Sequence, residues 1–153
     1  MPRSVKRAFW IVLTGAALGI AGNAVSPRKI PYITPPKTQP LPGELISLAE
    51  AETALYAGAM FLDARSPADY RAGHIAGALN LPAGDFQRSF PKIAGSLAPE
   101  TLVVVYCDGE ICELSHDVAG KLRQSGYSNV RVLLNGWTVW RRAGLPTHTG
   151  DEP

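Results

Sequence analysis

A mostly parallel α/β sheet flanked by helices is the fold class this sequence predicts, on three observations. Apolar and β-branched runs of strand length occur at Met60-Phe61-Leu62-Asp63, at Thr101 to Tyr106 and at Val130 to Leu134. Segments with helical start signals and helical spacing alternate with those runs. Glycine and proline punctuate the boundaries. The length of 153 residues suits one such domain with extensions, and no internal repeat is evident.

The extensions come first. Arg3, Lys6 and Arg7 precede an uncharged apolar stretch from Ala8 to Val25, the pattern of a secretory signal or a signal-anchor. The stretch is long enough to span a hydrocarbon core, and the positive-inside rule keeps the three cations in the cytoplasm. The expectation is a retained single-pass anchor in a bacterial inner membrane (residues 1–25) with the rest facing the periplasm. Removal at Gly22-Asn23-Ala24, which would release the domain into the periplasm, is the alternative. Residues 26–43 carry Pro27, Pro31, Pro35, Pro36, Pro40 and Pro42, which deny them helix and sheet ladder and make them a spacer.

The predicted domain spans 44–148, with 149–153 as a tail. Leu45-Ile46 suits a short strand. Ser47 to Glu50 matches a capping box, opening a helix over Leu48 to Tyr56 that stops at Gly58. Ser66-Pro67 starts another helix after the Met60 strand. Gly73 to Ala78 reads as a glycine-punctuated turn, Ala78 to Leu81 as a short strand closed by Pro82, and Asp85 to Phe90 as one or two helical turns. Thr101 to Tyr106 is the expected central strand. Leu114, Val118, Ala119 and Leu122 fall at helical spacing in a helix ending before Gly126, and Trp137 to Ala143 forms the last helix before Gly144 and Pro146.

Charge divides the chain. All thirteen Asp/Glu lie from Glu44 onward, against nine Lys/Arg there, a net of −4 for the domain and tail. Nucleic acid is therefore not the expected partner, since phosphate binding needs a basic face. Two cysteines are too few for a disulfide-built scaffold.

Those cysteines lie in the stretch Val103-Val104-Val105-Tyr106-Cys107-Asp108-Gly109-Glu110-Ile111-Cys112-Glu113-Leu114. A strand ends in a cysteine, a short loop follows, and a helix begins. Loop amides and a helix N-terminus at such a bend favour a thiolate, so Cys107 is the candidate nucleophile.

The chain resembles the rhodanese-like domain family at three motifs in family order. Asp63-Ala64-Arg65-Ser66-Pro67 through Gly73-His74-Ile75-Ala76-Gly77-Ala78 to Pro82 resembles the N-terminal signature. Val105-Tyr106-Cys107 resembles the active-site strand. Asn135-Gly136-Trp137 through Trp140, with Gly144-Leu145-Pro146, resembles the C-terminal signature. The resemblance implies a three-layer fold with a central mostly parallel sheet. It also implies a sulfurtransferase of the thiosulfate sulfurtransferase type, carrying sulfane sulfur as a persulfide on Cys107. The partners it implies are a sulfane-sulfur donor and a thiol acceptor, either of them small or protein-borne. No cofactor and no metal site are expected.

The loop departs from the family pattern. Most family loops place an arginine about five residues after the cysteine. Here that position is Cys112, and no arginine occurs from Cys107 to Glu113. A phosphatase, which needs a phosphate-binding arginine, is thereby disfavoured. The loop residues Asp108, Gly109, Glu110, Ile111 and Glu113 are the expected substrate-binding set. Three of them are acids, which oppose a thiolate and repel anionic donors such as thiosulfate. A neutral or protein-borne donor fits better. Cys112 is positioned in sequence to resolve a persulfide or mixed disulfide on Cys107, or to close a disulfide with it; a buried, inert thiol is the other reading.

The remaining candidates read as structural. Asp63 and Arg65 suit an ion pair, and His74 a hydrogen bond within its turn. His116 suits an exposed helix face, with stabilisation of the Cys107 thiolate as the alternative. Trp137 and Trp140 suit packing. Two rival functions stand beside sulfur transfer: a thiol–disulfide redox module using Cys107 and Cys112, and a non-catalytic interaction domain.

Overall fold

The computed structural model describes residues 3–25, 43–109 and 113–153, which divide into two units: an N-terminal helix and the domain. The expected spacer, 26–43, falls almost entirely outside the described residues.

Helix α1 runs Arg3–Val25. Within it Val5–Asn23 is long and apolar enough to cross a membrane by length and composition. Its large side chains, Phe9, Trp10, Ile11, Val12 and Leu18 among them, are exposed. Thr14 Oγ1 is satisfied within the helix, donating to Trp10 O at 2.8 Å.

The domain contains helices α2 (Leu48–Tyr56), α3 (Pro67–Ala72), α4 (Phe86–Ile93), α5 (Glu113–Gln124) and α6 (Gly136–Arg142). Its strands are β1 (Met60–Asp63), β2 (His74–Ile75), β3 (Leu79–Asn80), β4 (Val103–Tyr106), β5 (Val130–Leu133) and β6 (Thr147–His148). Four strands form one sheet in the order β3-β1-β4-β5, every pair parallel. The register sets Leu62 beside Val105 and Val105 beside Val132. Because side chains alternate across a strand, Leu62, Val103, Val105, Val130 and Val132 face one side. There they pack with Val118, Ala119 and Leu122 of α5 and Phe86 of α4. Phe61, Val104, Tyr106 and Leu133 face the other, against Ala51 of α2 and Trp140 of α6. The result is the three-layer α/β fold that the sequence predicts.

The capping box at α2 forms in full: Ser47 N donates to Glu50 Oε2 at 2.9 Å and Glu50 N to Ser47 Oγ at 3.3 Å. The Ser47 side chain, then its backbone N–H, hold the Glu50 carboxyl below the usual carboxylate value of 4.5. A depressed acid stabilises the fold above its unfolded pKa and loses that contribution as pH falls through the folded one. Glu50→Gln is therefore expected to lower the urea midpoint at neutral pH, the difference from the parent fading as acid protonates the Glu50 carboxylate.

Four details differ from the sequence expectation. Leu45-Ile46 makes an isolated parallel bridge to Val132, not a strand. The turn after Gly73 contains β2, which pairs antiparallel with β6, His74 opposite His148. Two-residue strands joined across some seventy positions leave no periodic trace. Helix α4 passes through Pro91 to Ile93, because Phe86 and Phe90 stack (centroids 5.0 Å apart) and Ile93 packs on the core beyond it. His116 is half-buried in place of lying on an exposed face, with its Nδ1 3.3 Å from Glu44 Oε1.

Candidate active site

Strand β4 delivers Cys107. By alternation with Val103 and Val105, its side chain points to the α5 face, and it belongs to that core cluster with 0 % exposure. Its Sγ lies 3.3 Å from Ser115 Oγ, in the first turn of α5. The sulfur carries no free thiol: Cys107 is disulfide-bonded. The other cysteine of the chain is Cys112, which with Glu110 and Ile111 lies outside the described residues.

The start of the loop is held by the N-terminal part of α6. Trp137 N donates to Cys107 O at 3.1 Å. Thr138 Oγ1 donates to Asp108 Oδ1. Gly109, at φ +94°, donates its N–H to Asn135 Oδ1 at 2.9 Å. Asn135 itself sits in the left-handed region at φ 50°, a conformation asparagine tolerates better than most residues. Three successive loop residues are thus tied to three residues of one turn.

In this disulfide-bonded form Cys107 is buried, and the amide of Gly109, one of the described loop amides, is turned to Asn135. Strand parity is the reason for the burial: position 107 falls on the covered face. Asp108 faces α6, and its charge is among those that raise the Arg65 pKa. Glu113 opens α5 and is exposed.

Asp63 and Arg65 form the ion pair expected of them. Asp63 is 0 % and Arg65 7 % exposed. Arg65 Nη2 reaches Asp63 Oδ2 at 2.6 Å and Gly73 O at 2.7 Å. Burial disfavours the guanidinium charge, but the Asp63 hydrogen bonds and charge, with Tyr106 and Asp108, outweigh it and raise the Arg65 pKa. The Arg65 guanidinium also lies over the Trp137 ring, 4.8 Å from its centroid. Tyr106 OH accepts from Ile75 N at 3.1 Å; burial first, then the Asp63 charge, pushes its pKa up. His74 Nδ1 meets Tyr70 O at 2.9 Å, so the hydrogen bond expected of it forms, but to helix α3 and not within its own turn. Trp140 packs in the core and Trp137 at its rim. Among the described residues no group of three or more His, Cys, Asp or Glu is arranged to hold a metal ion.

Asn135 and Thr138 were not foreseen as site residues. The Asn-Gly dipeptide at 135–136 is a turn signal that points to a left-handed residue, but nothing in it says which amide the side chain would meet. No sequence signal marks Thr138.

A family profile described as "Rhodanese-like domain" matches residues 41–143. An HTH-type transcriptional regulator of Mycobacterium tuberculosis is 34% identical over 110 residues, 71% of this chain and 46% of that protein. The chain thus spans about half the length of that relative. Thiosulfate sulfurtransferase 16 of Arabidopsis thaliana (chloroplastic) is 26% identical over 112 residues, covering 67% of this chain and 90% of that one. Among solved structures, the Alr3790 protein of Anabaena superposes with TM-score 0.59 at 27% identity, over 69% of this chain and 92% of that one. Thiosulfate sulfurtransferase of Pseudomonas aeruginosa superposes with TM-score 0.58 at 28% identity, over 69% and 20%.

Proposed function

Because the chain belongs to the rhodanese-like domain family, we propose that it is a sulfurtransferase that carries sulfane sulfur as a persulfide on Cys107. The observation that carries the reading is the seat of Cys107: the C-terminal end of β4, beneath the first turn of α5, with the Ser115 hydroxyl 3.3 Å from its sulfur. In the first half-reaction the Cys107 thiolate attacks the outer sulfur of a sulfane donor. The donor's S–S bond breaks, its thiolate leaves, and Cys107 holds the terminal sulfur. An acceptor thiolate then attacks that sulfur and releases Cys107 as a thiolate.

In this scheme the disulfide on Cys107 is the resting form, and the partner we propose for it is Cys112, the chain's other cysteine. A dithiol reductant opens it by exchange, becoming a disulfide itself while Cys107 and Cys112 gain two electrons and two protons. The absence of arginine between Cys107 and Glu113, with acids at 108, 110 and 113, favours neutral or protein-borne donors over thiosulfate. Helix α1 serves as a membrane anchor that leaves the domain on the periplasmic side, the reading that its flanking cations support.

Intact mass tests the scheme. The reduced protein incubated with a sulfane donor gains one sulfur, about 32 Da, and Cys107→Ser gains none. Ser115→Ala slows loading about tenfold, the loss of one hydrogen bond to a charged sulfur. No gain in the reduced parent protein overturns the sulfurtransferase reading. A second reading, a thiol–disulfide module, is favoured by the disulfide on Cys107. It predicts the loss and regain of two hydrogens on cycling without any sulfur adduct. Neither change supports the interaction-domain reading.

A further inference from the structure

Glu44 opens the domain and its side chain is 4 % exposed. One of its oxygens, Oε1, receives Arg123 Nη1 at 2.9 Å and lies 3.3 Å from His116 Nδ1. Residues 116 and 123 are two helical turns apart on one face of α5. A single carboxylate oxygen therefore grips the helix at its first and its last turn. The backbone of the same segment is fixed to β5, with Val132 N donating to Glu44 O at 2.8 Å and Ile46 N to Val132 O at 3.0 Å. Arg123 Nη2 adds a bond to Val130 O at 2.7 Å. The apolar face of α5 (Val118, Ala119, Leu122) holds the helix against the sheet, but apolar contacts are non-directional. The buried, charge-assisted bonds to Glu44 are directional and fix its position along the strand.

The residue before His116 is Ser115, whose hydroxyl meets the Cys107 sulfur. We propose that Glu44, acting through His116 and Arg123, is a positioning residue for the reactive sulfur: it holds α5 where the Ser115 hydroxyl reaches Cys107. The inference rests on Cys107 as the sulfur carrier. The contact is sensitive, since at 3.3 Å a retreat of about 1 Å removes it. A hydroxyl donating to a thiolate favours the charged form, so loss of Glu44 is expected to make Cys107 less reactive. A direct electrostatic role predicts the reverse sign, because removing a negative charge eases ionisation of a nearby thiol.

The test uses the full chain with Cys112→Ser, leaving one thiol, and follows iodoacetamide alkylation of Cys107 against pH. Glu44→Ala is expected to slow alkylation about tenfold at neutral pH and to move the profile to higher pH. Ser115→Ala is expected to do the same, and the double variant to be no slower than Ser115→Ala alone. Glu44→Gln keeps the acceptor oxygen and recovers most of the rate. His116→Ala takes the place of Glu44→Ala if circular dichroism shows the latter unfolded. An unchanged rate in a folded variant, a faster one, or effects that multiply in the double variant overturn the proposal. Alkylation involves no sulfane donor, so this outcome is independent of whether sulfur transfer is observed.

Discussion

Replacing Asp63 by asparagine is expected to destabilise the domain by about 3–5 kcal/mol, the cost of leaving a buried charge without its partner. Asp63 accepts from Arg65 N at 2.9 Å, Nε at 3.0 Å and Nη2 at 2.6 Å, with no exposure of its own. An asparagine in its place offers one acceptor oxygen and no charge to a guanidinium that is itself buried. The same guanidinium ties down Gly73 O and covers the Trp137 ring, so the damage spreads to both signature motifs. Urea unfolding measures it. Asp63→Asn combined with Arg65→Met should recover a large part of the loss, because the stranded charge is then gone. A single-variant loss below about 1 kcal/mol would show that the pair is solvated after all.

Gly136→Ala is expected to cost about 3 kcal/mol, the upper end for overpacking. A Cβ at 136 would stand 2.6 Å from Tyr106 Cβ and 3.2 Å from two atoms of Leu133. Tyr106 Cβ is attached to the backbone of a central strand and cannot swing away. Relief requires α6 to retreat from β4, which pulls Trp137 N, Thr138 and Asn135 away from Cys107, Asp108 and Gly109. Under the proposed sulfurtransferase scheme, loss of persulfide loading at a temperature where the variant is still folded is the second expected readout. Gly84→Ala is the control, with nothing within 4 Å of the added carbon. A Gly136→Ala protein as stable as that control would mean the helix and strand part without cost.

The sheet was legible because its signals are local. Valine runs, a capping box and glycine stops each act within a few residues, and α2, β1 and the start of α3 fall where those signals place them. The β2–β6 pair was not, because its hydrogen bonds join His74 to His148 and neither dipeptide has a period of its own. The site divides in the same way. Cys107 at a strand end is visible from the Val-Val-Val-Tyr-Cys pattern. Its burial depends on which face α5 covers, and the occupation of the Gly109 amide depends on Asn135, twenty-six residues away. The partner of His116 is seventy-two residues upstream. Chemistry carried by residue type can be read in one dimension; chemistry carried by packing cannot.

Strand β3 is two residues long and is followed by Pro82, while β5 is flanked by the bridge from Leu45. Neither margin of the sheet therefore presents a long row of unsatisfied peptide groups. A foreign chain seeking to extend the ladder finds a proline-truncated stub on one side and an occupied seat on the other. Such margins guard the domain against self-templated fibrils at high local concentration.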